Sequence, residues 1–484
     1  MSGLDNLPSG WSVISFESAT IVEKGRKPRS LGGRNAQRSL PYVNIKAFER
    51  GVIEEFCDPK EAIVQCAQGD TLIVWDGARA GLVGKAPTGA VGSTLAKLSS
   101  PVLESDYLRL FLSSKYRELN ARTKGVGIPH LDPQVLGDLS IPVAPEREQR
   151  RIVEAIETRF ARLDAAVRAL ERARANLKQY RASVLEAACS GRLVRTDSSL
   201  ARENGTSFEP ATALVARLSE ERQRAGAELG SRRDLINVSE VALPSEPLPE
   251  GWRWYPWAEL AGRVTVGYVG PISNQHSEVG VPLVRSQNVR PNRFEPKGMS
   301  HVPREFYLVN RKCGVSGGDI CVVRSGDVGV ACVIPNGLGE ALCSDLVIIQ
   351  RPVCVVPQYG SYVMNSVVRQ RVLRGKVGIG LSHYNTKSVA ALPIPVPPMA
   401  EQERIVEEVE RRLSVVDAAS LEVERALFRC VRLRNSVLKS AFEGRLIPQD
   451  PNDEPASALL ERIKRVCQTT PAPPHRVRKA RVST

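Results

Sequence analysis

No apolar run in this sequence approaches the roughly 18 residues that a membrane-spanning helix needs. Its first residues, MSGLDNLPSGW, have neither the basic start nor the apolar core of a secretory leader, so a cytoplasmic location is expected, away from any membrane. The 10 cysteines include no C-x-x-C pair and no Cys/His cluster at zinc spacing. Cys321, Cys332, Cys343 and Cys354 recur at even steps and read as small apolar residues on successive strands. With 5 histidines, none paired at helical spacing, no metal site is expected. A G-x-x-x-x-G-K-S/T phosphate loop is absent: Arg79 stands where the first glycine before Gly84-Lys85 belongs, and Ala86 follows. There is no dinucleotide fingerprint, no N/D-P-P-Y/F tetrapeptide to hold an amino group during methyl transfer, and no Ser or Cys set as a nucleophile. Catalytic residues are therefore expected to be none, and a long chain so equipped reads better than it acts.

What the sequence does have is charge and repetition. It carries 67 Lys+Arg against 53 Asp+Glu, a formal net charge of +14, which favours polyanionic partners, nucleic acid first. The segment Leu139–Leu193 returns as Leu392–Leu446, with 27 of 55 positions identical at an offset of 253. EQRRIVEAIE from Glu148 becomes EQERIVEEVE from Glu401, and both copies end in GRL, at Gly191–Leu193 and Gly444–Leu446. Such duplication decides architecture before any local reading. Fainter echoes surround it: LPSGW at Leu7 and LPEGW at Leu248; Gly69-Asp70…Gly77 and Gly318-Asp319…Gly326; EPATAL at Glu209 and EPASAL at Glu454. Each copy thus joins a diverged head to a preserved helix. Trp11 and Trp252 are expected to anchor the start of each head in its core.

The preserved segments are helical by every local sign. Between Pro145 and Ala188 there is neither proline nor glycine, and Ala, Arg, Glu and Leu dominate. Pro145 and Pro398 stand before the helices, Gly191 and Gly444 after them. At 1.5 Å per residue each is about 60–65 Å long. Ile152, Ile156, Phe160, Leu163, Val167, Leu170, Leu177 and Val184 form one stripe, interrupted by Arg174 and Arg181; Ile405, Val409, Leu413, Val416, Val423, Leu427, Cys430 and Val437 form the other. A stripe of this kind is a seam for a second helix. An antiparallel pair suits the connectivity, because head 2 follows the end of helix 1 and precedes the start of helix 2. A parallel pair would need residues 194–247 to run back the full helix length.

The heads read as mixed strand and turn with few helices, an α+β class. Their basic residues gather in loops. Lys24, Arg26, Lys27, Arg29, Arg34 and Arg38 share a stretch with no acid, and Arg285, Gln287, Asn288, Arg290 and Arg293 form a dense polar run. Arg, Gln and Asn can make paired hydrogen bonds to purine edges, whereas Lys124, Arg374 and Lys376 suit phosphate, where charge outweighs pattern. His130 and His383 sit in matching turns beside those lysines and complete the expected DNA-binding set. The basic C-terminal tail, with Arg476, Arg478, Lys479 and Arg481, suits non-specific DNA attraction.

Two diverged heads alternating with near-identical helices, introduced by IPVAP-x2-EQ-x2-IV at Ile141 and IPVPP-x2-EQ-x2-IV at Ile394, resemble the specificity subunit of type I restriction–modification systems. The resemblance implies two α+β target recognition domains, each reading one half of an asymmetric bipartite site in double-stranded DNA. The long helices would pack as an antiparallel coiled coil with pseudo-two-fold symmetry and set the spacer. Two methyltransferase subunits would dock on the repeated regions, with Glu148, Gln149, Ile152, Glu401, Gln402 and Ile405 as contacts, and motor-nuclease restriction subunits would join. AdoMet, ATP and Mg²⁺ would belong to those partners, and no cofactor to this chain. The implied organisation is recognition domain 1 over 1–145, helix over 146–193, a connecting segment over 194–247, recognition domain 2 over 248–397, helix over 398–446, and a C-terminal segment over 447–484. Two alternatives stay open: a single-chain restriction enzyme, disfavoured by the missing motifs, and a coiled-coil scaffold spacing two protein-binding domains.

Overall fold

A computed structural model describes residues 6–125, 127–230, 236–368 and 385–469, with backbone alone for 273, 367–368 and 463–469. Two compact units make up the chain, Met1–Glu171 with Glu424–Thr484, and Arg172–Val423. The long helices, Glu146–Cys189 and Met399–Phe442, each begin in one unit and end in the other. Both follow a proline and run without helix breakers, as their composition dictates.

Both ends of both helices are tied down by the repeated motifs. Gly191 and Gly444 each take φ +69°, a left-handed conformation that favours glycine after a helix. A Cβ on Gly191 would fall 2.4 Å from Pro249, and one on Gly444 2.4 Å from Pro8. The G-R-L end is therefore both a stop and a close seat for the L-P-x-G-W turn. Next, the E-P-A-x-A-L segments dock on that turn, Ala211 N donating to Gly251 O at 2.8 Å and Ala456 N to Gly10 O at 2.9 Å. Each unit thus holds a full set of motifs: one head, the start of the helix that follows it, and the end of the other helix.

Within each unit the helix segments run antiparallel. In the first, Ile152, Ile156 and Phe160 pack with Val437, Leu438, Ala441 and Phe442. Arg434 lies 4.2 Å over the Phe160 ring and reaches Asp164 at 2.9 Å, while Arg151 pairs with Asp453, so the partner's number falls as the first rises. In the second unit Val184, Leu185 and Ala188 pack with Ile405, Val409 and Leu413. There Arg181 pairs with Asp417 and Arg404 with Asp197. Arg181, an interruption of the stripe on paper, thus closes its edge with an ion pair.

The heads share the topology of their two four-stranded sheets, and the second adds a hairpin, Val289–Arg290 with Arg293–Phe294. In the first, one sheet runs in the order Ile21–Lys24, Leu95–Ser99, Thr71–Val74, Val83–Lys85; the other runs Phe56–Cys57, Leu40–Val43, Gly89–Val91, Gln65–Cys66. In the second the orders are Ala261–Val266, Leu346–Pro352, Ile320–Val323, Ala331–Val333 and Ser300–Val302, Val281–Val284, Ala341–Cys343, Gly314–Val315. Two strands pair in parallel at the same place in each, Leu40–Val43 with Gly89–Val91 and Val281–Val284 with Ala341–Cys343. The IPVAP and IPVPP segments each supply a strand, Ser140–Val143 against Ser12–Ser15 and Pro393–Val396 against Arg253–Pro256. Cys321, Cys332 and Cys343 lie buried on strands of the second head; Cys354 is buried just beyond one. Among the described residues no helix is long and apolar enough to cross a membrane.

Candidate nucleic-acid interface

The six residues expected at a partner surface require correction first. Glu148, Gln149, Ile152, Glu401, Gln402 and Ile405 are all buried within their own units. Glu148 accepts from Trp11 Nε1 at 3.1 Å and from Gln449 Nε2 at 3.0 Å; Glu401 accepts from Trp252 Nε1 and Asp197 N, each at 2.9 Å. Gln149 accepts from Glu104 N at 3.0 Å and donates to Ala144 O at 2.9 Å. Gln402 accepts from Val356 N at 2.8 Å and donates to Cys354 O and Pro397 O at 3.2 and 3.0 Å. The E-Q pair therefore latches each helix start to its head. Being inside, these side chains present nothing to a partner.

The basic loop of the first head leaves the strand Ile21–Lys24 through Gly25. That glycine fits tightly, since a Cβ would fall 2.3 Å from Val91 O. Beyond it Arg26, Lys27 and Arg29 are exposed. Farther along, Arg34 lies 5.8 Å from the Phe56 ring at the outer edge of the second sheet, and Arg38 donates to Gly33 O at 3.2 Å. These last two shape the loop as well as charge it.

Lys24 and His130, far apart in sequence, meet on Asp76. Lys24 Nζ stands 3.2 Å from Asp76 Oδ2, and His130 Nδ1 2.7 Å from Asp76 Oδ1. Lys24 also lies 5.6 Å from the Trp75 ring centre. Backbone pairing holds His130 there: Lys124 N and His130 N each donate to the other's carbonyl, at 2.8 and 2.7 Å, and Leu131 N donates to Trp75 O. Lys124 itself pairs with Asp132 at 2.9 Å, and that ammonium leads in holding the Asp132 carboxyl below its ordinary value.

In the second head, Asn288 is another correction. It is buried, its Oδ1 accepts from Arg285 N at 3.1 Å, and its Nδ2 donates to Glu295 O at 2.8 Å, so it holds the turn and reads nothing. Gln287 is exposed but donates to Gly298 O at 2.7 Å. Arg290 and Arg293 are exposed, the latter 3.4 Å from Glu295. Arg285 is half-buried, and its Nε has no hydrogen-bond partner among the described residues. Arg374, Lys376 and His383 lie outside the described residues.

Two groups escape a reading by charge clusters: Trp75 and Asp76 in the first head, Arg324 and Asp345 in the second. Arg324 Nη1 lies 3.5 Å from Asp345 Oδ1, and Asp345 takes φ 55°. A signal for them does exist in the sequence. The matched Gly69…Gly77 and Gly318…Gly326 frames set Trp75-Asp76 opposite Arg324-Ser325, an abrupt change of chemistry inside a preserved frame.

Residues 8–172 match the family described as the type I restriction modification DNA specificity domain. Over 96% of this chain and 94% of the relative, the sequence is 23% identical to the type I restriction enzyme EcoBI specificity subunit of Escherichia coli. It is 33% identical to the MjaVIII specificity subunit of Methanocaldococcus jannaschii over 32% of this chain and 36% of that one. A chain solved in work on complex assembly and conformational transition of the type I R-M system shares the fold, with TM-score 0.63 at 17% identity, over 91% of this chain and 99% of that chain.

Proposed function

We propose that this chain, which belongs to the specificity subunits of type I restriction–modification systems, reads one half of an asymmetric bipartite DNA site with each head. The observation that carries the reading is two heads of one topology whose loops differ in chemistry, each bound to matched helix motifs. Such heads select unlike sequences, where an identical pair would favour a palindrome. The long helices set the spacer between half-sites. The chain is a non-catalytic recognition subunit. Two methyltransferase subunits and the motor-nuclease subunits carry the reactions in the cytoplasm, with AdoMet, ATP and Mg²⁺ bound there.

Docking of those partners falls to exposed helix surface, since the E-Q latch is internal. Val415 and Leu421 in one unit, and Phe428, Val431 and Leu433 in the other, are apolar side chains that such a partner would cover.

Phosphate contact is assigned to Arg26, Lys27 and Arg29, which are exposed on one loop. Changing all three to Gln is expected to weaken DNA binding and flatten the plot of log K against log salt by up to about 2.7, at ~0.9 for each lost contact. Titrations of duplex at several salt concentrations measure this. A scaffold for proteins would instead show no DNA affinity, or an affinity indifferent to salt.

A further inference from the structure

We propose that both heads read bases at one shared place, the strand ends beside Gly25 and Gly267, using Lys24, Asp76 and His130 in the first head and Arg285, Arg324 and Asp345 in the second. The proposal rests on the DNA-recognition reading above and adds where on each head the sequence is sensed.

Backbone is preserved at this place to the level of single hydrogen bonds. Gly25 N donates to Leu95 O at 3.0 Å, and Gly267 N to Leu346 O at 2.9 Å. Gly92 N donates to Val43 O, and Ser344 N to Val284 O, each at 2.9 Å. A Cβ on Gly267 would fall 2.6 Å from Cys343 O, the same close approach that Gly25 makes to Val91 O. Side chains mounted on this common frame differ at Lys24 and Asp76, whose matched positions hold Val266 and Ser325, while His130 is matched by His383, which lies outside the described residues. One head places a carboxylate between a lysine and a histidine. The other places Arg324 beside an aspartate, with Arg285 following the strand whose last carbonyl, Val284 O, accepts from Ser344 N.

That combination separates a reading site from a structural one. At the E-Q latch, backbone and side chains are both preserved between the copies, because the task is the same. At these strand ends the frame is preserved while the charged groups around the histidine turn change, as two readers of unlike half-sites require. His130, Lys24 and Asp345 are 51%, 46% and 58% exposed by side chain, with Asp76 and Arg324 set deeper at 16% and 23%.

The chemistry indicates what each head reads. Each Asp76 oxygen faces one side-chain nitrogen, of Lys24 or of His130, and keeps a further acceptor site, which suits the exocyclic amino group of adenine or cytosine. In the second head Arg285 and Arg324 each bury an Nε with no partner among the described residues. Buried donors left unpaired in this way call for an explanation. Guanidiniums with donors to spare suit an acceptor edge, and guanine O6 and N7 supply one. Asp345, with φ 55° and 3.5 Å from Arg324, orients that side chain. The phosphate-binding loop starts at Gly25 itself, so backbone contact and base contact in the first head are consecutive along the chain.

Selection of bound duplexes from a random library, using the full-length chain, tests this. Asp76→Asn is expected to reduce discrimination at one base pair of one half-site by roughly 10- to 100-fold, and Arg324→Gln to do so in the other half only. Neither variant should alter the salt slope, because neither group is assigned to phosphate. If the wild-type chain enriches no motif, the recognition reading itself falls, and this proposal with it. If the wild type enriches a bipartite motif that folded Asp76→Asn and Arg324→Gln chains retain unchanged, the proposal is overturned while recognition stands. A change in both halves from one substitution also overturns it. Should Asp76→Asn fail to fold, Lys24→Met, at a half-exposed position, performs the test for the first head.

Discussion

Replacing Gln402 with leucine should cost the second unit about 3–5 kcal/mol of folding stability, because it removes hydrogen-bonding atoms without emptying the site. The side chain is fully buried and satisfies three backbone groups, Val356 N, Cys354 O and Pro397 O. Leucine leaves all three without partners in a dry interior, and each unpaired buried group costs about 1–3 kcal/mol. Relaxation and the apolar gain recover part of that sum. Gln149→Leu strands two groups, Glu104 N and Ala144 O, so the first unit should lose rather less, about 2–4 kcal/mol.

Since each long helix is shared between units, global melting would blur the two effects. Hydrogen exchange resolves them, because opening free energies are local. In Gln402→Leu the Val356 amide should lose protection while Glu104 keeps it, and Gln149→Leu should show the reverse. The loss should appear in the chain alone, with no methyltransferase subunit present. Unchanged protection at both amides would return the E-Q pair to the role of a docking surface.

That pair also shows where sequence reading stops. The α+β class and the antiparallel helices were legible, because duplication, helical periodicity and the glycine stops are written along the chain. The role of Gln149 and Gln402 was not. Polar residues at a helix start read as solvent-facing, and glutamine is seldom fully buried. The backbone donors they accept from lie 45 and 46 residues upstream, at Glu104 and Val356, on loops that only the folded head brings to the helix. Asn288 misleads in the same way, its amide spent inside a turn. Asp76 and His130 meet through backbone pairing across 54 residues, which no local pattern encodes. Charge clusters were visible; which charges converge was a tertiary property.

A second large effect comes from the matched Gly-Asp turns, where one frame again carries opposite chemistry. Burial pushes the Asp319 carboxyl up from its ordinary 3.8 to about 6, even though Arg351 N and Ser316 N donate to it, each at 2.9 Å. Its counterpart Asp70 is held low instead: burial alone would raise it, but the Lys97 ammonium at 2.7 Å and the Ala67 N–H outweigh that. Above pH 4 the unfolded chain has released the Asp319 proton while the folded second unit keeps it. That unit therefore loses stability as pH rises through its folded value near 6, by about 3 kcal/mol for a shift of this size. Asp70 acts in the other sense, stabilising the first unit above its unfolded pKa and failing as pH falls through its depressed folded value. Between pH 4.5 and 6.5, on the order of one such window, exchange-derived opening free energies should fall in second-unit peptides and hold nearly level in the first. Asp319→Asn should remove much of that slope, leaving the part due to the Glu259 and Glu401 carboxyls, which burial also raises. It leaves one of the two N–H donors facing an amide, so the variant starts about 1 kcal/mol weaker at low pH and overtakes the wild type near neutrality. A second unit whose stability stayed level with pH in the wild type would mean that Asp319 ionises in the fold as freely as in water.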